Sequence, residues 1–76
     1  MKDELLTILR SIRPDVAFES EQRLIDDGIL DSFDIISIIG EFNDAFGVEI
    51  DAAELEAENF NTVEAMLSLI EKLQNE

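Results

Sequence analysis

The side chains that could carry chemistry in this 76-residue chain are few, and one serine flanked by acids stands out among them. Ser32 lies in the run GILDSFD, residues 28–34, between Asp31 and Asp34. The chain has no histidine and no cysteine, so the usual general base and every thiolate are missing. Nothing would activate the Ser32 hydroxyl as a nucleophile, and the neighbouring acids disfavour an alkoxide. We therefore expect no catalytic residue, and a protein that is not an enzyme.

Three other roles for this serine are open on local grounds. It could merely help to cap a helix, since serines are common in that position. The acids of residues 26–27 could bind a metal, but Arg23 occupies the first ligand position counted back from Gly28 in an EF-hand, so we expect no dedicated metal site. Finally, Ser32 could be modified, because a phosphodiester in a first helical turn lies among free N–H groups at the positive end of the helix dipole.

The elements that must position Ser32 can be predicted from the spacing of apolar residues. Leu5, Ile8, Leu9 and Ile12 recur at helical spacing and predict a helix over roughly residues 2–13, which Pro14 ends. Residues 14–31 have no clear period and predict a long loop. Loops of this length are uncommon in small domains. We expect apolar side chains to pin it to the core, namely Val16, Phe18, Leu24, Ile25, Ile29 and Leu30.

The second predicted helix begins at Ser32 itself. Its apolar stripe runs from Ile35 to Phe46, and Gly47 is its natural end. Asp31 is a preferred N-cap residue, and Asp34 three positions later predicts a capping box, with aspartate where glutamate is usual. Ser32 then occupies the first turn of this helix.

The rest of the chain predicts one short element and one longer helix. The acidic run of residues 51–60 predicts a turn or short helix near 52–57. Asn61 with Glu64 predicts a second capping box, followed by a last helix over roughly residues 62–74. The predicted fold is all-α, with three main helices and one minor one.

The balance of charge restricts the partners. Nineteen acids against five bases give a formal net charge of −14, and Lys72 is the only base after Arg23. Such a field disfavours nucleic acid and anionic membranes, steers the chain toward basic partner surfaces, and predicts a fold that is stabilised by salt. No apolar run is long enough to span a bilayer, and the first fifteen residues lack the pattern of a secretory signal. We expect a cytoplasmic monomer that does not insert into membranes.

The run Leu30–Asp34 closely resembles the phosphopantetheine-attachment motif of acyl carrier proteins, which is usually Asp-Ser-Leu followed by an acid. The resemblance covers nearly the whole chain, including helix order, long loop, acidic connector and acidity. It implies a single acyl-carrier-type domain over residues 1–76, a small three-to-four-helix bundle. It also implies that a phosphopantetheinyl transferase moves 4′-phosphopantetheine from coenzyme A to Ser32, with Asp31 helping to position the enzyme. Acyl groups would then be carried as thioesters on the arm.

In that family the second helix is the surface that partner enzymes recognise. The implied partners, besides the transferase, are an adenylating or other loading enzyme and a downstream acyltransferase or synthase with a basic docking surface. The candidate docking residues are those in the first turns or opposite the apolar stripe, namely Phe33, Asp34, Ile36, Ser37, Gly40, Glu41 and Asp44.

Two departures bear on the pathway. Ser37 and Gly40 stand where fatty-acid carriers usually have glutamate and methionine. The lead-in to Ser32 and the run Asn59–Thr62 look more like carriers of D-alanine for teichoic acids, or stand-alone carriers served by an adenylating enzyme. The rival hypothesis, from another class, is an acidic helical interaction module that needs no prosthetic group.

Overall fold

The structure, a computed structural model, describes all residues 1–76 and contains helices but no strands. The all-α prediction is therefore confirmed. The elements in chain order are α1 (Lys2–Ile12), α2 (Ser32–Phe46), a 3₁₀ turn (Ala52–Glu54), α3 (Ala57–Phe60) and α4 (Val63–Gln74). Helix α1 packs against α2 and α4, and α3 packs against α4.

One hydrophobic core joins these elements. Fifteen side chains are buried, all of them apolar, and they form a single cluster. The long loop of residues 13–31 contributes Phe18, Leu24 and Leu30 to this cluster, as predicted, whereas Val16, Ile25 and Ile29 pack against its edge. The loop is therefore held to the core although it has no regular structure.

The predicted bounds of α1 and α2 are close to those observed. Helix α1 ends one residue earlier than predicted, with Arg13 as its C-cap, and it also buries Leu6, which the predicted stripe omitted. Helix α2 begins and ends as predicted. It stops at Gly47, whose φ of 63° is left-handed and favours glycine at that position.

The turn or short helix predicted near residues 52–57 is a 3₁₀ turn, and the four-residue α3 follows it after Leu55 and Glu56. The predicted capping box of Asn61 with Glu64 is wrong. The N-cap of α4 is Thr62, whose Oγ1 accepts a hydrogen bond from the Ala65 amide at 3.0 Å.

Asn61 instead fastens the long loop. Its Oδ1 accepts hydrogen bonds from the amides of Ile25 at 2.9 Å and Asp26 at 3.1 Å. Its Nδ2 donates to Asp26 Oδ2, and its backbone carbonyl accepts from the Leu24 amide. These four bonds tie the second half of the loop to the start of α4.

Candidate functional site

The site is built on the N-terminus of α2, where a reciprocal capping box is formed as predicted. Asp31 Oδ1 accepts a hydrogen bond from the Asp34 amide at 2.9 Å, and Asp34 Oδ2 accepts one from the Asp31 amide at 3.2 Å. Ser32 is the first helical residue, and its side chain is exposed. The box fixes the backbone on both sides of the serine and leaves its hydroxyl accessible.

A second set of bonds reaches this turn from the end of α1. Arg13 Nη1 donates to Asp34 Oδ2 at 2.6 Å and to the Ile29 carbonyl at 3.1 Å. The other side of the guanidinium donates to both carboxylate oxygens of Asp15, each at 3.0 Å. The hydrogen bonds to Asp15 and then Asp34 raise the pKa of Arg13 above its ordinary value, and the Arg13 bond lowers that of Asp15.

An open groove of about 540 Å³ lies beside Ser32. Its walls come from the end of the long loop, the first turns of α2, and the connector with α3. Most of its lining is apolar, with Asp31, Ser32 and Glu56 as its polar side chains. The apolar lining residues are Ile25, Leu30, Ile35, Ile36, Leu55, Ala57 and Phe60. A slender ligand attached at Ser32 would therefore find an apolar surface next to its point of attachment.

The outward face of α2 carries the predicted docking residues, with one exception. Phe33 is 82% exposed and Ile36 is 67% exposed. Four more of them are also exposed, namely Ser37, Gly40, Glu41 and Asp44. The exception is Asp34, whose side chain is only 13% exposed and is engaged by Arg13. The Asp34 carboxylate is therefore engaged within the chain, and its role in docking stays a prediction.

Gly40 lies in the middle of this face, in ordinary helical backbone. A Cβ added there would meet no atom within 4 Å, so the fold itself does not require a glycine. The space above Gly40 is open to a partner.

The acids of the connector interact with each other. The Asp51 and Glu54 carboxyl groups share a hydrogen bond, which raises the pKa of Glu54 and lowers the pKa of Asp51. In the same way, a hydrogen bond with Glu56 raises the pKa of Glu58. No group of three or more acids is arranged to hold a metal ion, and no helix is long and apolar enough to cross a membrane.

Sequence reasoning missed several residues around the site. Arg13 is 21 positions from Asp34, and no local pattern pairs them. Asn61 was assigned to a cap that Thr62 occupies. Leu55, Ala57 and Phe60 form the far wall of the groove, but they come from elements too short to show a hydrophobic period.

Comparison with known proteins agrees with this architecture. The family model described as phosphopantetheine attachment site matches residues 3–70. An acyl carrier protein of Thermotoga maritima is 42% identical over 52 residues, which cover 68% of this chain and 62% of that protein. This chain therefore matches less than two thirds of that relative.

Two D-alanyl carrier proteins match over more of their length. That of Streptococcus uberis is 30% identical over 66 residues, covering 87% of this chain and 84% of the relative. That of Bacillus cereus is 25% identical over 75 residues, which cover 96% of this chain and 95% of that protein.

The helical bundle with a serine at the head of α2 is that of a carrier protein. The chain belongs to the acyl carrier protein family, whose prosthetic group is covalently attached 4′-phosphopantetheine. The protein is a phosphopantetheine-bearing carrier of acyl or aminoacyl groups.

The first turn of α2 fits this prosthetic group. The capping box uses the amides of Asp31 and Asp34, so those of Ser32 and Phe33 have no partner within the chain. Free amides at a helix N-terminus favour a phosphate. Ser32 would hold the phosphodiester there, and the groove would receive the apolar part of the arm.

Proposed function

We propose that this chain carries acyl or aminoacyl groups as thioesters on a phosphopantetheine arm attached to Ser32, and delivers them between enzymes of a biosynthetic pathway. The observation that carries the proposal is the exposed Ser32 hydroxyl in the capped first turn of α2, inside the segment matched by the family model. We further infer that residues 1–76 act as one carrier domain, because a single core joins all the elements.

In the attachment step, the Ser32 oxygen forms a bond to the phosphorus of coenzyme A that bears the pantetheine. The phosphoanhydride bond to the adenosine portion breaks, and adenosine 3′,5′-bisphosphate leaves. The hydroxyl proton passes to a base of the transferase, since the chain has no histidine. Asp31 holds the helix start with its Oδ1 and so presents the serine. When attached, the arm supplies the terminal thiol that bears the cargo.

Partner enzymes would dock on the outward face of α2. Phe33 and Ile36 supply apolar contact area, and Glu41 and Asp44 supply negative charge beside them. A partner with a basic rim around an apolar pocket is complementary to this face. The transferase, a loading enzyme and an acceptor enzyme would use this face in turn.

An aminoacyl cargo is favoured by the relatives that match over most of their length, which are named D-alanyl carrier proteins. Ser37 and Gly40, which depart from the fatty-acid carriers, agree with a specialised pathway. We expect an ATP-dependent adenylating enzyme to charge the arm-bearing protein with D-alanine. We expect an acyl-loading enzyme not to charge it with fatty acids. The opposite preference would place it among acyl carriers.

Intact-mass spectrometry tests the attachment site. The wild-type protein is incubated with coenzyme A and a broad-specificity phosphopantetheinyl transferase, and we expect one added arm that peptide mapping assigns to Ser32. The Ser32→Ala variant should gain none, while Ser68→Ala, at an exposed serine of α4, should be modified like the wild type. An arm on Ser32→Ala would refute the assignment. A folded wild-type protein that stays unmodified would favour the interaction module.

A further inference from the structure

We infer that Arg13 is a positioning residue for the modification of Ser32: its guanidinium holds together the two segments that flank the serine, in the geometry in which the hydroxyl is presented to a transferase. This inference rests on the proposed function of Ser32. Arg13 lies outside the attachment motif, at the C-cap of α1.

The geometry around a single nitrogen carries the inference. Arg13 Nη1 donates to the Ile29 carbonyl on one side of Ser32 and to Asp34 Oδ2 on the other. The bonds of 3.1 Å and 2.6 Å thus bracket residues 30–33. The same Asp34 oxygen also accepts a hydrogen bond from the Asp31 amide in the capping box. Arg13 therefore joins the end of the long loop, the capping box and α1 at one point.

The guanidinium is itself held in place. Asp15 accepts two parallel hydrogen bonds from Nε and Nη2, each at 3.0 Å. Such forked pairing fixes the plane of the guanidinium more firmly than a single contact would. The Arg13 side chain is only 29% exposed. Its donors are therefore used within the chain, which distinguishes Arg13 from the docking residues of α2.

Charge adds to the effect of geometry. Asp31 and Asp34 lie within two residues of Ser32, and coenzyme A approaches with negative phosphates. Because Arg13 pairs with both Asp15 and Asp34, its single positive charge offsets part of the negative charge beside Ser32. A lysine at position 13 would retain the charge but could not form the planar fork to Asp15 together with both contacts beside Ser32. Arg13→Lys therefore separates positioning from charge.

The test measures steady-state kinetics of arm transfer from coenzyme A by a broad-specificity transferase. We compare the wild type with Arg13→Lys and Arg13→Gln, each shown to be folded by circular dichroism at the assay temperature. Misplacing a reacting group lowers the rate of the step itself. We expect kcat to fall by about 10-fold in both variants, with KM for the carrier within about twofold of the wild type. Phe33→Ala should instead raise KM.

Arg10→Gln is the matched control, because Arg10 lies in α1, three residues before Arg13, and its positive charge belongs to an exposed ion pair with Glu19 of the long loop. We expect it to leave kcat unchanged. Amide hydrogen exchange gives a second readout: in Arg13→Lys the amides of residues 31–35 should exchange faster, while those of the α4 core keep their protection. If Arg13→Gln does not fold, Arg13→Lys alone decides the kinetic test.

Three results would overturn the inference. The first is an Arg13→Lys variant with the wild-type kcat. The second is a loss of kcat accompanied by equally faster exchange throughout α4, which would show general destabilisation. The third is a wild-type protein that gains no arm, which would also refute the proposed function. Either of the first two results, with the wild type modified at Ser32, would refute this inference alone.

Discussion

At the scale of single residues, the site depends on polar side chains that connect distant parts of the chain. Arg13 bonds to residues 16 and 21 positions away, and Asn61 bonds to residues 35 and 36 positions away. Both hold the long loop, Arg13 at its end beside Ser32 and Asn61 at its middle. These bonds, together with three buried side chains, hold the backbone of the loop in one conformation.

Replacement of Asn61 by alanine should therefore destabilise the fold. The amides of Ile25 and Asp26 would lose their acceptor. The Ile25 bond is partly buried and the Asp26 bond is exposed, and a buried donor left unpaired is costly. We expect Asn61→Ala to lower the free energy of unfolding by about 1–3 kcal/mol, measured by urea denaturation. Asn75→Ala, which removes one exposed bond to the Glu71 carbonyl, should change it by less than about 0.5 kcal/mol. Equal effects of the two substitutions would argue against a loop fastened by Asn61.

The predictable part of the site is its local part. Asp31 and Asp34 are three residues apart, and their capping box follows from that spacing alone. The bond from Arg13 to Asp34 could not be predicted, because it depends on how α1 and α2 pack. Asn61 and Thr62 are both good N-cap residues, and only the position of the loop decides which of them caps α4.

At the scale of elements, predictability follows length and period. Helix α2 has fifteen residues and a clear apolar stripe, and its bounds were predicted correctly. Helix α3 has four residues and no period, so its position depends on tertiary packing, with Phe60 buried in the core. One wall of the groove beside Ser32 comes from the long helix α2 and another from the short α3 and its connector. The groove was therefore not predictable, whereas the position of Ser32 in the first turn of α2 was.

The glycine within α2 and the glycine that follows its last residue give a prediction at this scale. Gly40 has helical backbone and open space, so Gly40→Ala should raise the free energy of unfolding by about 0.5–1 kcal/mol through helix propensity. Gly47 ends the helix at a φ of 63°, so Gly47→Ala should lower it by about 1–2 kcal/mol. Chemical denaturation of both variants would show these opposite signs. Destabilisation by Gly40→Ala would mean that the fold requires the glycine after all.

At the scale of the whole molecule, charge opposes the core. A net charge of −14 is distributed over a body of about 31 × 23 × 20 Å. The observed ion pairs are mostly exposed and near the N-terminal third, whereas the connector joins acid to acid. The field that would steer basic partners to the chain should also weaken the isolated fold, and salt should raise its melting temperature by screening.

The connector acids determine how stability changes with pH. The raised pKa values of Glu54 and Glu58 mean that the folded state binds protons more readily than the unfolded chain, for which 4.5 is the ordinary value. Their contribution is present at low pH and is lost as the pH rises through the raised values. Asp15 and Asp51 have lowered pKa values, so their contribution is present above 3.8 and is lost as the pH falls further.

The melting temperature should consequently rise as the pH is lowered from about 7 to about 5, and fall again below about pH 3.5. Thermal unfolding followed by circular dichroism over this range would measure both limbs. Glu54→Gln removes one of the groups responsible for the first limb and should flatten it, whereas Glu49→Gln, at an exposed acid before the connector, should keep its slope. A melting temperature that falls steadily from about pH 7 downward could not come from Asp15 and Asp51, whose contribution is lost only below 3.8. That result would contradict the view that repulsion among the acids limits the stability of this carrier.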